Sequence, residues 1–94
     1  MFFPLIRFKI MDKSMEPSFK EGDYVIANNL SYAFRKPKVG DVVIVRRDER
    51  FTIKRIGKIK DGKYFVCGDN KKYSSRLWVD KRNIVGKVNL RVKS

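Results

Sequence analysis

Short runs of apolar and β-branched residues follow one another along the chain, and none has the length or the period of an amphipathic helix. Such runs predict β-strands, because strands favour Val, Ile, Phe and Tyr. The segment Ser31–Lys36 predicts at most one turn of helix, which Pro37 would end. The predicted strands are Arg7–Met11, Asp23–Ala27, Asp41–Arg46, Phe51–Ile56, Tyr64–Cys67 and Ile84–Val92.

Turn signals that contain glycine separate these strands. Asp61-Gly62 between two strand runs is typical of a two-residue hairpin. No low-complexity linker divides the chain. The sequence therefore predicts an all-β fold, with residues 1–94 forming a single compact, mostly antiparallel β domain shaped as a partly closed barrel or folded sheet.

Charge and hydropathy limit the partners and the location. The 94 residues include 23 Lys and Arg against 10 Asp and Glu, a net charge of +13. Such a charge attracts nucleic acid or an anionic membrane surface. The apolar stretches are far shorter than the roughly 20 residues that a membrane span needs. We therefore expect a soluble or peripherally membrane-associated chain with no transmembrane anchor of its own.

Several chemistries are excluded by the residues that the chain lacks. It has no histidine, and Cys67 is its only cysteine. These counts exclude Ser–His and Cys–His catalysis, a disulfide within the chain and a His-ligated metal. We therefore predict no metal and no cofactor.

A lysine interrupts an apolar strand pattern at Phe51–Ile56. Alternation along this strand puts Thr52, Lys54 and Ile56 on one face, so either Lys54 or Arg55 points to a less exposed place than its charge favours. The simplest interpretation is a solvated strand face, since the chain is rich in lysine. The alternative is chemical, because burial lowers the pKa of a lysine and lets the neutral amine act as a base.

Ser14 is the candidate partner of that lysine. On its own it could be an ordinary turn residue. A serine hydroxyl becomes a useful nucleophile only when a base takes its proton. Without histidine, a desolvated Lys54 is a candidate for that base, as in the Ser–Lys variants of the catalytic triad.

The order of short motifs along the chain resembles that of type I signal peptidases, which share their catalytic β fold with self-cleaving repressor-type peptidases. Each motif is weak alone, and the ordered set covers residues 8 to 88. The motifs are Ser14-Met15-x-Pro17, Gly22-Asp-Tyr-Val-Ile26, Gly40-Asp-Val-Val-Ile44, Ile53-Lys-Arg-Ile-Gly57, Gly68-Asp-Asn70 with Ser75-Arg76, and Ile84-Val-Gly-Lys-Val88.

The resemblance implies a minimal catalytic core with a Ser/Lys dyad. Ser14 would attack the scissile carbonyl, Lys54 would take its proton, and Ser74 or Ser75 would hydrogen-bond and orient the lysine. The backbone N–H of Ser14 would form part of the oxyanion hole. The implied function is an endopeptidase that cleaves a leader or signal segment from another protein after small residues.

The resemblance also implies roles around the dyad. Asp69, Asn70 and Arg76 would brace the loop beneath it. The polypeptide substrate would bind as an extended strand along the cleft. The residues that match the substrate pocket are Ile10, Met15, Phe19 and Ile53.

Asp12 departs from the family pattern, which usually has glycine or serine two residues before the nucleophile. An ionised carboxylate there cannot donate a hydrogen bond and would repel the developing oxyanion. Either Asp12 points away, paired with Lys13 or Arg55, or the oxyanion hole is weaker.

Two other functions remain open. The chain could be a weak or inactive family member that acts as an interaction module, as Asp12 and a shortened loop after Asn70 indicate. It could instead be a basic β-barrel that binds nucleic acid through exposed aromatic rings, although nucleic acid is the less favoured partner because such rings usually pack in a core. The candidate rings are Tyr24, Phe34, Tyr64, Tyr73 and Trp78.

Overall fold

Seven antiparallel strands form one sheet in the structure, a computed structural model that describes residues 5–33, 35–72 and 76–92. Every pair of neighbouring strands is antiparallel, and their order across the sheet is β1-β2-β7-β3-β4-β5-β6. The strands are β1 (Leu5–Lys9), β2 (Tyr24–Asn28), β3 (Val42–Arg47), β4 (Arg50–Lys60), β5 (Lys63–Cys67), β6 (Arg76–Asp80) and β7 (Ile84–Val92).

The sheet curls into a half-barrel, which confirms the predicted all-β, mostly antiparallel fold. All six predicted strands are present, with ends that differ by a few residues. The prediction omitted β6, although Leu77 and Val79 alternate there with more polar positions. In the part of the chain that the structure describes, no helix is long and apolar enough to cross a membrane.

Two tight hairpins hold β4 between its neighbours. Asp61 and Gly62 join β4 to β5 with φ of 51° and 74°, as the Asp-Gly signal predicted. Asp48 and Glu49 join β3 to β4 with φ of 51° and 67°. This second turn has the same left-handed backbone without a glycine, which is why the sequence did not reveal it.

Strand β4 contributes to two hydrophobic clusters, one on each face of the sheet. Ile56 packs in a cluster with Val43, Val45, Val66 and their neighbours. Ile53 packs in the other cluster with Ile10, Met15 and Val25. Lys54 lies opposite Val43 in the β3–β4 register and therefore shares the Ile56 face.

Candidate active site

The loop that carries Ser14 connects β1 to β2 and is closed at its base. Ile10 N–H donates to the Asp23 carbonyl, and Gly22 N–H donates to the Ile10 carbonyl, both at 2.8 Å. Met15 anchors the loop from inside, since its side chain is fully buried in the cluster with Ile53. The loop therefore presents Ser14 at a fixed position beside the sheet.

Asp12 binds Ser14 twice through one oxygen. Its Oδ1 accepts the Ser14 backbone N–H at 3.0 Å and the Ser14 hydroxyl at 2.8 Å. The suggestion that Asp12 points away from Ser14 is therefore wrong, and Arg55 pairs with a different carboxylate. The N–H that the resemblance assigns to the oxyanion hole is donated to Asp12 in this structure.

The segment Gly68–Asn70 supports Ser14 from below. Asn70 N–H donates to the Ser14 carbonyl at 2.8 Å, and its side-chain amide donates to the Lys13 carbonyl at 2.8 Å. A Cβ on Gly68 would collide with the Ser14 carbonyl oxygen and stand 3.1 Å from the Ser14 Cβ. The backbone can approach this closely because residue 68 is glycine.

A bidentate ion pair fixes that segment to β4. Arg55 Nε and Nη2 donate to the two Asp69 carboxylate oxygens at 2.8 and 2.9 Å. Hydrogen bonds from Arg55, aided by one from Ser18, lower the pKa of Asp69. The other guanidinium nitrogen of Arg55 donates to the Gly40 carbonyl at 2.9 Å. Arg55 thus connects β4, the Gly40 turn and the Gly68–Asn70 segment that contacts Ser14.

Lys54 is a buried lysine on β4, at 3% exposure. Burial lowers its pKa, because the charged ammonium loses hydration. Asp12 and, more weakly, Cys67 act in the opposite direction and raise it. Asp12 is therefore close enough to influence Lys54 while it holds Ser14. The interpretation of position 54 as a solvated strand face is wrong.

Two neighbouring cavities meet at β4. Both are lined by Arg50 and Thr52. The cavity of about 260 Å³ reaches Lys54 and is also lined by Arg47, Asp48 and Leu77. The cavity of about 500 Å³ reaches Asp12 and is also lined by Met11 and Phe51.

Residues 4–89, nearly the whole chain, match the family described as Peptidase S24-like. The chain belongs to the Peptidase S24-like family. A stretch of 37 residues is 49% identical to the thylakoidal processing peptidase 1, chloroplastic, of Arabidopsis thaliana; it covers 39% of this chain and 11% of that protein. The family match shows a peptidase-like domain, as the ordered motifs predicted, and the short partial match supports the relationship to processing peptidases.

The family resemblance assigned a substrate pocket to four residues, and the structure brings them to one side of the sheet. Ile10, Met15 and Ile53 are buried together, and Phe19 packs against them. Phe19 also lines a separate cavity of about 490 Å³ with Val42 and Val88. The pocket role of these residues stays a prediction.

The other residues assigned by the peptidase resemblance have three different outcomes. Asp69 and Asn70 contact the Ser14 loop directly: Asp69 N–H donates to Met15 Sδ at 3.4 Å, and Asn70 donates to the carbonyls of Ser14 and Lys13. Arg76 is exposed at the first position of β6, opposite Cys67, and the described contacts of the Gly68–Asn70 segment do not include it. Ser74 and Ser75 lie outside the described residues, so the orienting role stays a prediction.

The candidate nucleic-acid rings are dispersed. Tyr64 is buried in the core, whereas Trp78 is 47% exposed and contacts Phe65 with ring centroids 5.2 Å apart. Tyr24 is half-buried beneath Arg7 and Lys9. Phe34 and Tyr73 lie outside the described residues. Nucleic-acid and membrane contact both stay predictions.

Residues 5–33, 35–72 and 76–92 contain no group of three His, Cys, Asp or Glu side chains arranged to hold an ion. Cys67 is half-buried, and its thiol contacts the Arg55 carbonyl at 3.8 Å.

Sequence reasoning about this peptidase-like site missed three contacts. It identified Asp12 as anomalous without placing its carboxylate on Ser14. It also missed the Arg55–Asp69 ion pair and the hydrogen bond with Ser18 that lowers the pKa of Asp69. An acidic residue two positions before a serine is a general signal for such a turn, since a carboxylate readily accepts the N–H two residues on.

Proposed function

We propose that this chain is a serine endopeptidase in which Ser14 is the nucleophile and Lys54 the general base. The observation that carries the proposal is the burial of Lys54 beside the Asp12–Ser14 turn. A lysine at 3% exposure with a lowered pKa is unfavourable for folding. It is useful where a neutral amine must accept a proton.

The chemistry proceeds in two steps. Ser14 Oγ forms a bond to the scissile carbonyl carbon while its proton passes to the neutral Lys54 Nζ. The resulting ammonium gives that proton to the departing amine, and an acyl-enzyme remains. Water then attacks the ester carbonyl carbon while Lys54 takes a proton from it. Lys54 gives that proton to Ser14 Oγ as the ester bond breaks, so the carboxylic product leaves and both residues are restored.

The supporting residues hold the nucleophile rather than react. Asn70 fixes the carbonyl of Ser14, and Gly68 allows that close approach. Asp69 is held in turn by Arg55. These contacts would hold Ser14 within the small range of positions that acyl transfer allows.

We infer the substrate class from the resemblance and the cavities together. The substrate is a leader or signal segment of another protein, cut after small residues. The thylakoidal relative is named a processing peptidase, which supports a substrate of this kind. Thr52 lies on the path between the two cavities, so an extended segment would run along this part of β4.

Peptide cleavage tests the proposal. We expect the purified chain to cut peptides with an Ala-x-Ala sequence before the scissile bond. Ser14→Ala and Lys54→Met should each lower the rate at least about a thousandfold, as loss of a nucleophile or its base does in other serine peptidases. Mass spectrometry of the products measures this, and Lys58→Met on the same strand is a matched control that should cleave normally. Unchanged cleavage by either site variant would contradict the assigned mechanism.

A further inference from the structure

We propose that Asp12 holds the Ser14 site in a latent state, because its carboxylate occupies both the backbone N–H and the hydroxyl that acyl transfer needs. A productive substrate must displace this carboxylate. The inference rests on the proposed Ser14/Lys54 peptidase function and adds a residue that controls it.

One carboxylate oxygen of Asp12 accepts a hydrogen bond from the backbone N–H and another from the hydroxyl of Ser14. Asp12 Oδ1 lies 3.0 Å from Ser14 N and 2.8 Å from Ser14 Oγ. Hydrogen bonds to a carboxylate are stronger than those to a neutral acceptor. A substrate carbonyl that requires the same N–H therefore competes with an internal anion, and its developing oxyanion would be repelled by that anion.

The resting site is also closed. Ser14 is only 5% exposed and Lys54 only 3%. Asp12 itself is exposed and lines the cavity of about 500 Å³ together with Arg50. The carboxylate thus has space to leave Ser14, and the same cavity offers it a cation.

The charge of Asp12 has a second effect, which is on the pKa of Lys54. Its negative charge favours the ammonium form of Lys54 and so raises the pKa that burial lowers. Cys67 acts in the same direction and more weakly. The remaining charged groups that line the cavity with Lys54 are Arg47, Asp48 and Arg50. Removal of the Asp12 charge should therefore enlarge the neutral fraction of Lys54 at a given pH.

Three variants separate these effects. Asp12→Asn keeps an oxygen that can accept from Ser14 and removes the charge. Asp12→Gly removes the acceptor as well. Asp61→Asn is the matched control, because Asp61 is an exposed carboxylate in the β4–β5 turn whose positive φ also suits asparagine.

The readout is the rate at which a fluorophosphonate phosphonylates Ser14, followed by intact-protein mass spectrometry. In this reaction Ser14 Oγ bonds to phosphorus, fluoride leaves and the hydroxyl proton passes to Lys54. We expect Asp12→Gly to react at least about tenfold faster than the wild type, since one oxyanion donor is worth roughly 100- to 1,000-fold. Asp12→Asn should gain less and should react at lower pH than the wild type, whereas Asp61→Asn should match the wild type.

If the probe labels the wild type and both Asp12 variants react more slowly than the wild type, the inference is overturned and the proposed function stands. Absence of labelling in every variant would overturn the proposed function itself. A separate NMR titration of the Lys54 side chain needs no probe. A lower pKa in Asp12→Asn supports the electrostatic part of the inference, and an unchanged pKa overturns it.

Discussion

Lys54 is a buried lysine, and burial opposes its charged form. Its ammonium is almost fully removed from water, and the effect of burial on its pKa exceeds those of Asp12 and Cys67. The unfolded chain therefore binds more protons than the folded chain between the lowered pKa and the ordinary value of 10.5. The contribution of Lys54 to stability consequently rises with pH through this window.

Lys54→Met should therefore stabilise the chain while it abolishes the proposed activity. We expect the free energy of unfolding to rise by about 1 kcal/mol at neutral pH, because an apolar side chain of similar length replaces a desolvated charge. The gain should shrink as the pH approaches 10.5, where the wild-type lysine is also neutral. Urea unfolding of both proteins across this pH range measures it. A variant that is less stable than the wild type at neutral pH would contradict this account of Lys54.

The elements of the sheet could largely be predicted from sequence, because their apolar runs and glycine turns are local signals. The Asp61-Gly62 hairpin is one such signal, and the structure contains it. Strand β6 was missed because its five residues are short and partly polar. The strand order, with β7 between β2 and β3, is a long-range property that no local pattern encodes.

The candidate site was predicted in part for the same reason. The identities of Ser14 and Lys54 follow from the motif order and from the absence of histidine. The contact of Asp12 with Ser14 depends on the path of a loop, and the Arg55–Asp69 pair joins residues 14 positions apart. Such contacts require the folded backbone.

A substitution at Gly68 tests whether the close approach of the chain after β5 positions the Ser14 loop. In Gly68→Ala the new Cβ would press on the Ser14 carbonyl and displace the nucleophile. We expect about a hundredfold loss of activity, as for a displacement of roughly 1 Å at a reacting group, together with a stability loss of about 1 to 3 kcal/mol. Peptide cleavage and thermal unfolding measure the two effects.

Gly57→Ala is the matched control within β4. A Cβ at Gly57 would lie 3.5 Å from Cys67 Sγ and 3.6 Å from the Phe65 ring, which is ordinary contact. This variant should retain activity. Full activity in Gly68→Ala would show that the close approach of the two segments does not position Ser14.

At the scale of the whole molecule, a net charge of +13 accompanies the Asp12 carboxylate that binds Ser14. Near the Asp12 cavity, Phe51 is 49% exposed under the guanidinium of Arg46, and Met11 is 70% exposed. A charge of this size attracts anionic surfaces in general, and contact of this chain with an anionic membrane stays a prediction.

The central claim is that Lys54 activates Ser14, and one comparison tests it most directly. The pH dependence of Ser14 phosphonylation in the wild-type chain gives a kinetic pKa, and NMR of the Lys54 side chain gives its titration. We predict that the two values coincide, that both lie below 10.5, and that Lys54→Met removes the pH-dependent phase. A reaction at Ser14 with a different pKa, or one that persists unchanged in Lys54→Met, would contradict the claim.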